Sequence, residues 1–476
     1  MKKWISLLVM AALLLSLTAC GESGTEAQAQ AESTQKEEAE AVNATQSGGN
    51  VPVALATAIY PEMAPYPNET DYVKPDGSLS EGFDAAYDAW WEDIRTQRDQ
   101  GEGYADGLNI FFQASVRQFL TDTETENRVY SPLNVYLALA MLAEVTDGQS
   151  REQVLSLLGA DNVEAVRTKA KALWNANYRD DGMVKSVLAS SLWLNRNIHF
   201  IQSTLDSLAE NYYASCFQGE MGTAEYNQML QSWLNEQTGG LLSKQASGIE
   251  MDARTLLALA TTIYFKAPWT DKFSENATEE DLFHAPEADM PVDFMHRRKA
   301  QSYYWGDKFS AVSLELESNG AMWFLLPDEG ISPAELLEDG QAMEFLLNGN
   351  QYSWENSKFL TVNFSVPKFD VVSDMDLIPG LKALGITDVF DYTVSDFSPM
   401  TADTDEVYVS QAKHAARVRI DEEGCEAAAY TVLMMRAGSA MPPDKEIDFT
   451  LNRPFLYCIT GAEGIPLFVG TVNTPR

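Results

Sequence analysis

Cysteine and histidine are scarce: four of each in 476 residues. Cys20 sits at the end of a leader-like segment, and Cys216, Cys425 and Cys458 show neither a CxxC nor a paired spacing. Three remaining cysteines argue against a disulfide framework. His199, His284, His296 and His414 lack the close spacing that holds zinc, so no metal or other cofactor is expected. Basic residues are also few, 33 Lys and Arg against 70 Asp and Glu, for a net charge of −37. Nucleic acid needs a basic footprint on its partner, and an anionic membrane surface repels such a chain. No Gly-x-Ser-x-Gly occurs. The Ser-x-x-Lys at Ser365-Val366-Pro367-Lys368 has no Lys-Thr-Gly to accompany it, and Pro367 interrupts the helical turn that this motif needs. The chain is therefore not expected to be an enzyme.

What the chain does have is an unusual stretch near its end. Asp421-Glu422-Glu423-Gly424-Cys425-Glu426 runs into Ala427, Ala428 and Ala429, too small to anchor a core. Thr431 to Met435 then reads as strand, and Arg436 to Pro443 as small-residue loop. Strand-like runs flank it, Val418-Arg419-Ile420 before and Phe455-Leu456-Tyr457 after. A loop of about 25 residues is uncommon in a compact domain and is usually functional. Its first half alternates with period two. Cys425, Ala427, Ala429, Thr431, Leu433 and Met435 fall on one side; Glu426, Ala428, Tyr430, Val432 and Met434 fall on the other. The first set suits a core face. Gly424 at the start is read as a residue that bends freely. A loop cut beyond Met435 could fold back as an extra strand.

Glu422 to Ala429 resembles the hinge of serpins, a family of suicide serine protease inhibitors, with Cys425 where Thr or Ser is usual and Tyr430 where a small residue is commoner. Further motifs follow the family's order through residues 105–476. Asn127 to Val135 resembles Asn-x-x-x-Ser-Pro-x-Ser-Ile at the start of a central buried helix; Ser131 is a sound N-cap and Pro132 a favoured first helical residue. Leu256 to Trp269 matches the Asn-Ala-Ile-Tyr-Phe-Lys-Gly-x-Trp motif with Thr261 in place of Asn. As a near-continuous apolar run it reads as a central strand buried on both sides. Val366-Pro367-Lys368-Phe369, Leu384 to Phe390 and Asn452-Arg453-Pro454-Phe455 match as well.

The resemblance implies an α+β serpin fold: several helices around a large central mixed β-sheet and two smaller sheets, with a long exposed reactive-centre loop at about 422–446. It implies a covalent trap. A serine protease attacks the loop, and the cut loop inserts into the central sheet before the acyl-enzyme is hydrolysed. The hinge is Glu422, Glu423, Gly424, Cys425, Glu426, Ala427, Ala428 and Ala429. Family spacing sets the scissile bond at Gly438-Ser439, with Arg436-Ala437 as the alternative. Small residues there suit an elastase-like or subtilisin-like partner; Arg436 would suit a trypsin-like one. A polar cluster that governs sheet opening maps to Ser131, Asn134, Thr261 and His414. The other reading is a non-inhibitory serpin acting as a surface binding protein, against which the three alanines argue. A monomer is expected.

The N-terminus adds location. Lys2 and Lys3 precede an apolar run, too short to span a bilayer comfortably, that ends Leu17-Thr18-Ala19-Cys20. This resembles a bacterial lipobox, which implies a signal peptide at 1–19 and lipidation of Cys20. The protein would then be held by that anchor alone at an extracytoplasmic cell surface; an ordinary signal, cleaved or uncleaved, is the alternative. Residues 20–50 read as a flexible acidic tether. In residues 51–104, Phe83, Tyr87, Trp90, Trp91 and Ile94 recur at helical spacing. That suits a helix docked on the main domain, or else a regulatory arm.

Overall fold

Helices fill the first half of the described chain and strands the second. The computed structural model describes residues 52–74, 78–121, 125–317, 320–348, 351–404, 406–425 and 445–475. Pro52–Arg476 forms one compact unit.

Helix α1 (Glu81–Arg98) and β1 (Val53–Ala56) belong to the N-terminal arm. Then come α2 (Leu108–Leu120), β2 (Arg128–Tyr130), α3 (Pro132–Val145), α4 (Gly148–Leu158) and α5 (Val163–Asn177). Next are β3 (Arg179–Asp180), β4 (Lys185–Asn195), α6 (Gln202–Tyr212), β5 (Ala214–Gly219), α7 (Ala224–Gln237) and β6 (Leu257–Pro268). The strand-rich part holds β7 (Thr278–His284), β8 (Asp289–Trp305), β9 (Phe309–Leu316), β10 (Gly320–Pro327), β11 (Ser357–Pro367), β12 (Phe369–Asp376), β13 (Lys413–Ile420) and β14 (Gly424–Cys425). It closes with β15 (Glu446–Thr450), β16 (Phe455–Thr460) and β17 (Pro466–Val472).

Two large sheets result among the described residues. One has eight strands in the order β1-β5-β4-β6-β14-β13-β12, with β3 on β4. It is mixed: β4 runs parallel to β5 and antiparallel to β6. The other has nine, in the order β15-β11-β8-β9-β10-β16-β17-β2, with β7 on β8. The long β8 pairs with β7, β9 and β11, so the smaller sheets of the family fold share it and form one continuous path.

Helix α3 is buried along its whole length except for a half-buried Ala138. From Leu137 to Leu142 it is apolar all round, as a helix enclosed by a core must be, and its buried Glu144 is paired with Arg167 at 2.7 Å. Ser131 caps it, its Oγ accepting from the Asn134 backbone N–H at 3.3 Å, and Pro132 opens it. β6 is central but only its upper half, Thr262 to Phe265, is continuously buried; Ala258 to Thr261 are half-buried. Burial on both sides along the whole run was expected. The lower half departs from it because β6 pairs with β4 throughout but, on its other edge, only with β14 at Pro268 and Ala267.

The arm lies along the edge and back of the first sheet. β1 extends that sheet by pairing antiparallel with β5. Tyr60 sits against Trp174 at 5.3 Å between ring centroids, and against Tyr178 and Tyr213. In α1, Phe83, Trp90 and Ile94 are buried. Trp90 Nε1 donates to Asp181 at 3.2 Å, and the Arg179 guanidinium lies over the Trp90 ring at 5.2 Å.

Candidate functional site

The end of β13 turns sharply into β14. The Asp421 backbone N–H donates to the Gly424 carbonyl at 3.1 Å, and Asp421 Oδ1 accepts from the Glu423 N–H at 3.0 Å. This turn is fastened to its surroundings by both glutamates. Glu422, 8 % exposed, accepts from Thr278 Oγ1 at 2.6 Å and pairs with Lys368 Nζ at 2.7 Å. Burial pushes the Glu422 carboxyl up, but the hydrogen bonds from Lys368 and Thr278 outweigh it and leave the group below its ordinary value. Glu423 pairs with Lys272 at 2.5 Å. The backbone is held as well: Trp269 N–H donates to the Glu423 carbonyl at 3.0 Å, Phe273 N–H to the Glu422 carbonyl at 3.0 Å, and Trp269 Nε1 to the Asp421 carbonyl at 2.8 Å.

From this clamp, Gly424 and Cys425 enter the sheet between β6 and β13. Gly424 lies opposite Pro268, and Cys425 opposite both Ala267 and Ile420. A Cβ on Gly424 would stand 2.4 Å from the Ala267 carbonyl oxygen. Close approach of two backbones, not a bend, is what demands glycine here; the sequence reading of Gly424 as a free pivot is corrected on this point. Cys425 is 2 % exposed and joins the core face with Ala267 and Ile420. Cys216 and Cys458 are likewise buried.

Below Cys425 no strand pairs β6 with β13 among the described residues. Two cavities lie back to back in this interval and share Leu259, Thr261, Gln411 and Lys413. One opens on the face covered by α7. The other opens over α3, with Leu139, Leu142 and His414 in its wall.

The polar group at this interval is partly assembled. His414 Nε2 accepts from the Ser131 backbone N–H at 3.1 Å, so the proton of the neutral ring sits on Nδ1. Complete burial lowers the imidazole from its ordinary 6.5 to about 4. Tyr130 meets the ring edge-on at 5.3 Å. Asn134 Nδ2 is buried with no hydrogen-bond partner among the described residues. Ser131, Asn134 and His414 thus gather at one end of α3, and Thr261 shares a cavity wall with His414.

The far side of the loop is also anchored. β15 pairs parallel with β11, Arg298 bonds Glu446, and Asn363 Nδ2 donates to Asp448 Oδ1 at 2.8 Å. The rest of the expected hinge (Glu426, Ala427, Ala428 and Ala429) lies outside the described residues, as do Arg436, Ala437, Gly438, Ser439 and Cys20. Ser365 belongs to strand β11, where its Oγ is 2.8 Å from His296 Nδ1, and Lys368 is engaged with Glu422. Sequence reasoning missed the clamp residues Thr278, Lys272 and Lys368. Only the complementary charge of the two lysines could have hinted at it.

A family model described as "Serpin (serine protease inhibitor)" matches residues 107–475. The arm at 52–106 falls outside it. The human leukocyte elastase inhibitor is 29 % identical over 363 residues, covering 73 % of this chain and 93 % of that one. Serpin-ZX of Arabidopsis thaliana is 26 % identical over 369 residues, covering 75 % and 94 %. Among solved structures, the thermophilic serpin tengpin in its native state superposes with a TM-score of 0.69 at 24 % identity, covering 79 % of this chain and 95 % of that one. At that identity the likeness speaks for the fold.

Proposed function

Because this chain belongs to the serpin family, we propose that it is a suicide-type inhibitor of serine endopeptidases. The observation that carries this is the interval between β6 and β13, already begun by Gly424 and Cys425. Each further step along the loop is one step back along both strands. In that register Ala427 falls opposite Phe265 and Val418, and Ala429 opposite Ile263 and Ala416. All four partners are buried on the core face. Thr431 falls between Thr261 and His414. Leu433 and Met435 fall opposite Leu259 and Leu257, in the cavity over α3. The alternation of the loop therefore suits the slot on both of its faces.

The chemistry follows the trap. The protease serine Oγ attacks the carbonyl carbon of the scissile bond and forms an ester. The amine on the far side leaves with a proton. The freed upstream segment then pairs into the slot and carries the protease with it before water cleaves the ester. About ten new ladder hydrogen bonds at roughly 0.5–1.5 kcal/mol each, plus roughly 1.5–3 kcal/mol for each of Leu433 and Met435, give on the order of 10–20 kcal/mol to distort the protease. The intact state is held kinetically, with the hinge clamp as part of the barrier. We assign the bond to Gly438-Ser439 and the target to an elastase-like or subtilisin-like enzyme, with the protein tethered at a bacterial surface through Cys20.

Mixing with a panel of serine proteases tests the reading. A complex that survives denaturing electrophoresis, with a released peptide beginning at Ser439, is expected. Cleavage without any complex across the panel would sink it.

A further inference from the structure

Tyr430 departs from the three alanines before it, and the sheet holds a space for such a ring. The cavity on the α7 face takes Ala258, Ala260 and Thr262 from β6, and Gln411, Lys413 and Ala415 from β13 and the residues before it. In the register fixed by Gly424-Pro268, Cys425-Ala267 and Cys425-Ile420, these six are the residues opposite Met434, Val432 and Tyr430 in turn. Thr262 and Ala415 are the pair on either side of residue 430.

We propose that this cavity is the seat of the Tyr430 ring in the cut protein, so that α7 positions the inserting strand chiefly by that aromatic side chain. The proposal rests on the insertion reading given above. Ala258, Ala260 and Ala415 end at Cβ, so the strands themselves leave the room beneath Leu230 and Leu234 of α7 empty. Ala258 and Ala260 pack against a second apolar cluster built from α7 and Trp193, separate from the main core. An aromatic ring arriving there gains apolar contact that an alanine cannot make. Thr262 gives a second, independent sign. Its Oγ1 is buried, with the residue 3 % exposed, and has no hydrogen-bond partner among the described residues. A buried hydroxyl left alone is a standing cost that an incoming strand bearing a phenol can relieve.

The test compares thermal midpoints of intact and nicked protein. Thermolysin makes the cut because a metalloprotease forms no acyl-enzyme, and mass spectrometry confirms cleavage within 436–444. The full-length protein, Tyr430→Ala, Tyr430→Phe, Leu234→Ala and the Tyr430→Ala/Leu234→Ala double variant are measured. Nicking should raise the wild-type midpoint sharply. Tyr430→Ala should lower the nicked midpoint by several degrees and leave the intact midpoint unchanged, and Tyr430→Phe, which keeps the ring but loses the hydroxyl, should fall between the two. The two alanine substitutions should be additive in the intact form and less than additive in the nicked form. A sharp rise on nicking that Tyr430→Ala does not diminish overturns the seat and leaves insertion standing. No rise on nicking in wild type overturns both.

Discussion

Gly424 owes its identity to a carbonyl oxygen. The Ala267 oxygen would stand 2.4 Å from any Cβ placed there, so Gly424→Ala must push β14 out of the sheet or move β6. We expect a loss of about 1–3 kcal/mol in the intact protein, read as a lower denaturation midpoint. From the sequence alone the glycine was visible and its reason was not. A bend is a local property, whereas a close approach depends on a strand more than a hundred residues earlier. Glu422 is the same case: its partner Thr278 lies 144 residues away. Ala427 lies outside the described residues, and its expected place rests on alternation, which is local. Opposite Phe265 and Val418 it would face the core, and Ala427→Arg would bury an unpaired charge at a cost of several kcal/mol. That variant should be cut as a substrate, with little complex on a denaturing gel. His414 makes the residue scale pH-dependent. Its folded value of about 4 lies below its ordinary 6.5, so the unfolded chain binds the proton first as pH falls. The stability of the neutral ring is fully present above pH 6.5 and is lost on going down to 4, by about 3 kcal/mol. Glu422, held below its ordinary value, loses stability in the same direction at lower pH. Urea titrations of wild type and His414→Gln isolate the histidine: the wild-type advantage should shrink by about 3 kcal/mol between pH 7 and pH 4.

At the scale of elements, α3 was readable because one signal sufficed: a capped start at Ser131-Pro132 followed by the all-apolar run Leu137 to Leu142. β6 was half readable. Its apolar run marked a central strand, but the run cannot say that the neighbour on one edge is two residues long. Ala258 and Ala260 belong to the run that reads as buried on both sides, and they instead border the cavity under α7. The arm shows the opposite balance. The spacing of Phe83, Tyr87, Trp90, Trp91 and Ile94 marked a helix with one apolar face, and those positions form α1 with Phe83, Trp90 and Ile94 buried. The spacing could not show that Trp90 meets a buried ion pair. Arg179 and Asp181 lie 2.6 Å apart with side chains 5 % and 0 % exposed, and Trp90 covers the one while donating to the other. Trp90→Ala removes a large buried ring and opens that pair to water, so we expect about 3–5 kcal/mol of destabilisation in denaturant melts. An arm that merely lay on the surface would show almost none.

For the whole molecule, the quantity that bears on function is charge. A chain of net charge −37 sets up a negative field around the loop it presents. Encounter with a basic protease is accelerated by such a field, and encounter with an acidic one is slowed. The loop chemistry narrows the choice further. Ala437, Gly438, Ser439 and Ala440 offer small side chains, which fit the shallow primary pocket of an elastase-like enzyme; a trypsin-like pocket wants a cation. Both considerations favour the proposed target, a basic elastase-like protease. The two act on different quantities. Pocket fit sets the cut and the partition between trapping and release, and the field sets the association rate. Raising salt from about 0.01 M to about 0.15 M shortens the screening length from roughly 30 Å to about 8 Å. The second-order rate of complex formation should therefore fall several-fold over that range, while the stoichiometry of inhibition stays constant. Stopped-flow or progress-curve kinetics with a basic elastase at three salt concentrations measure both. Arg436 supplies the competing outcome. Rapid trapping of trypsin, none of elastase, and a released peptide beginning at Ala437 would move the scissile bond two residues upstream. In that event the inserted strand would be two residues shorter, though still long enough to carry Met435 to Leu257 at the foot of the slot.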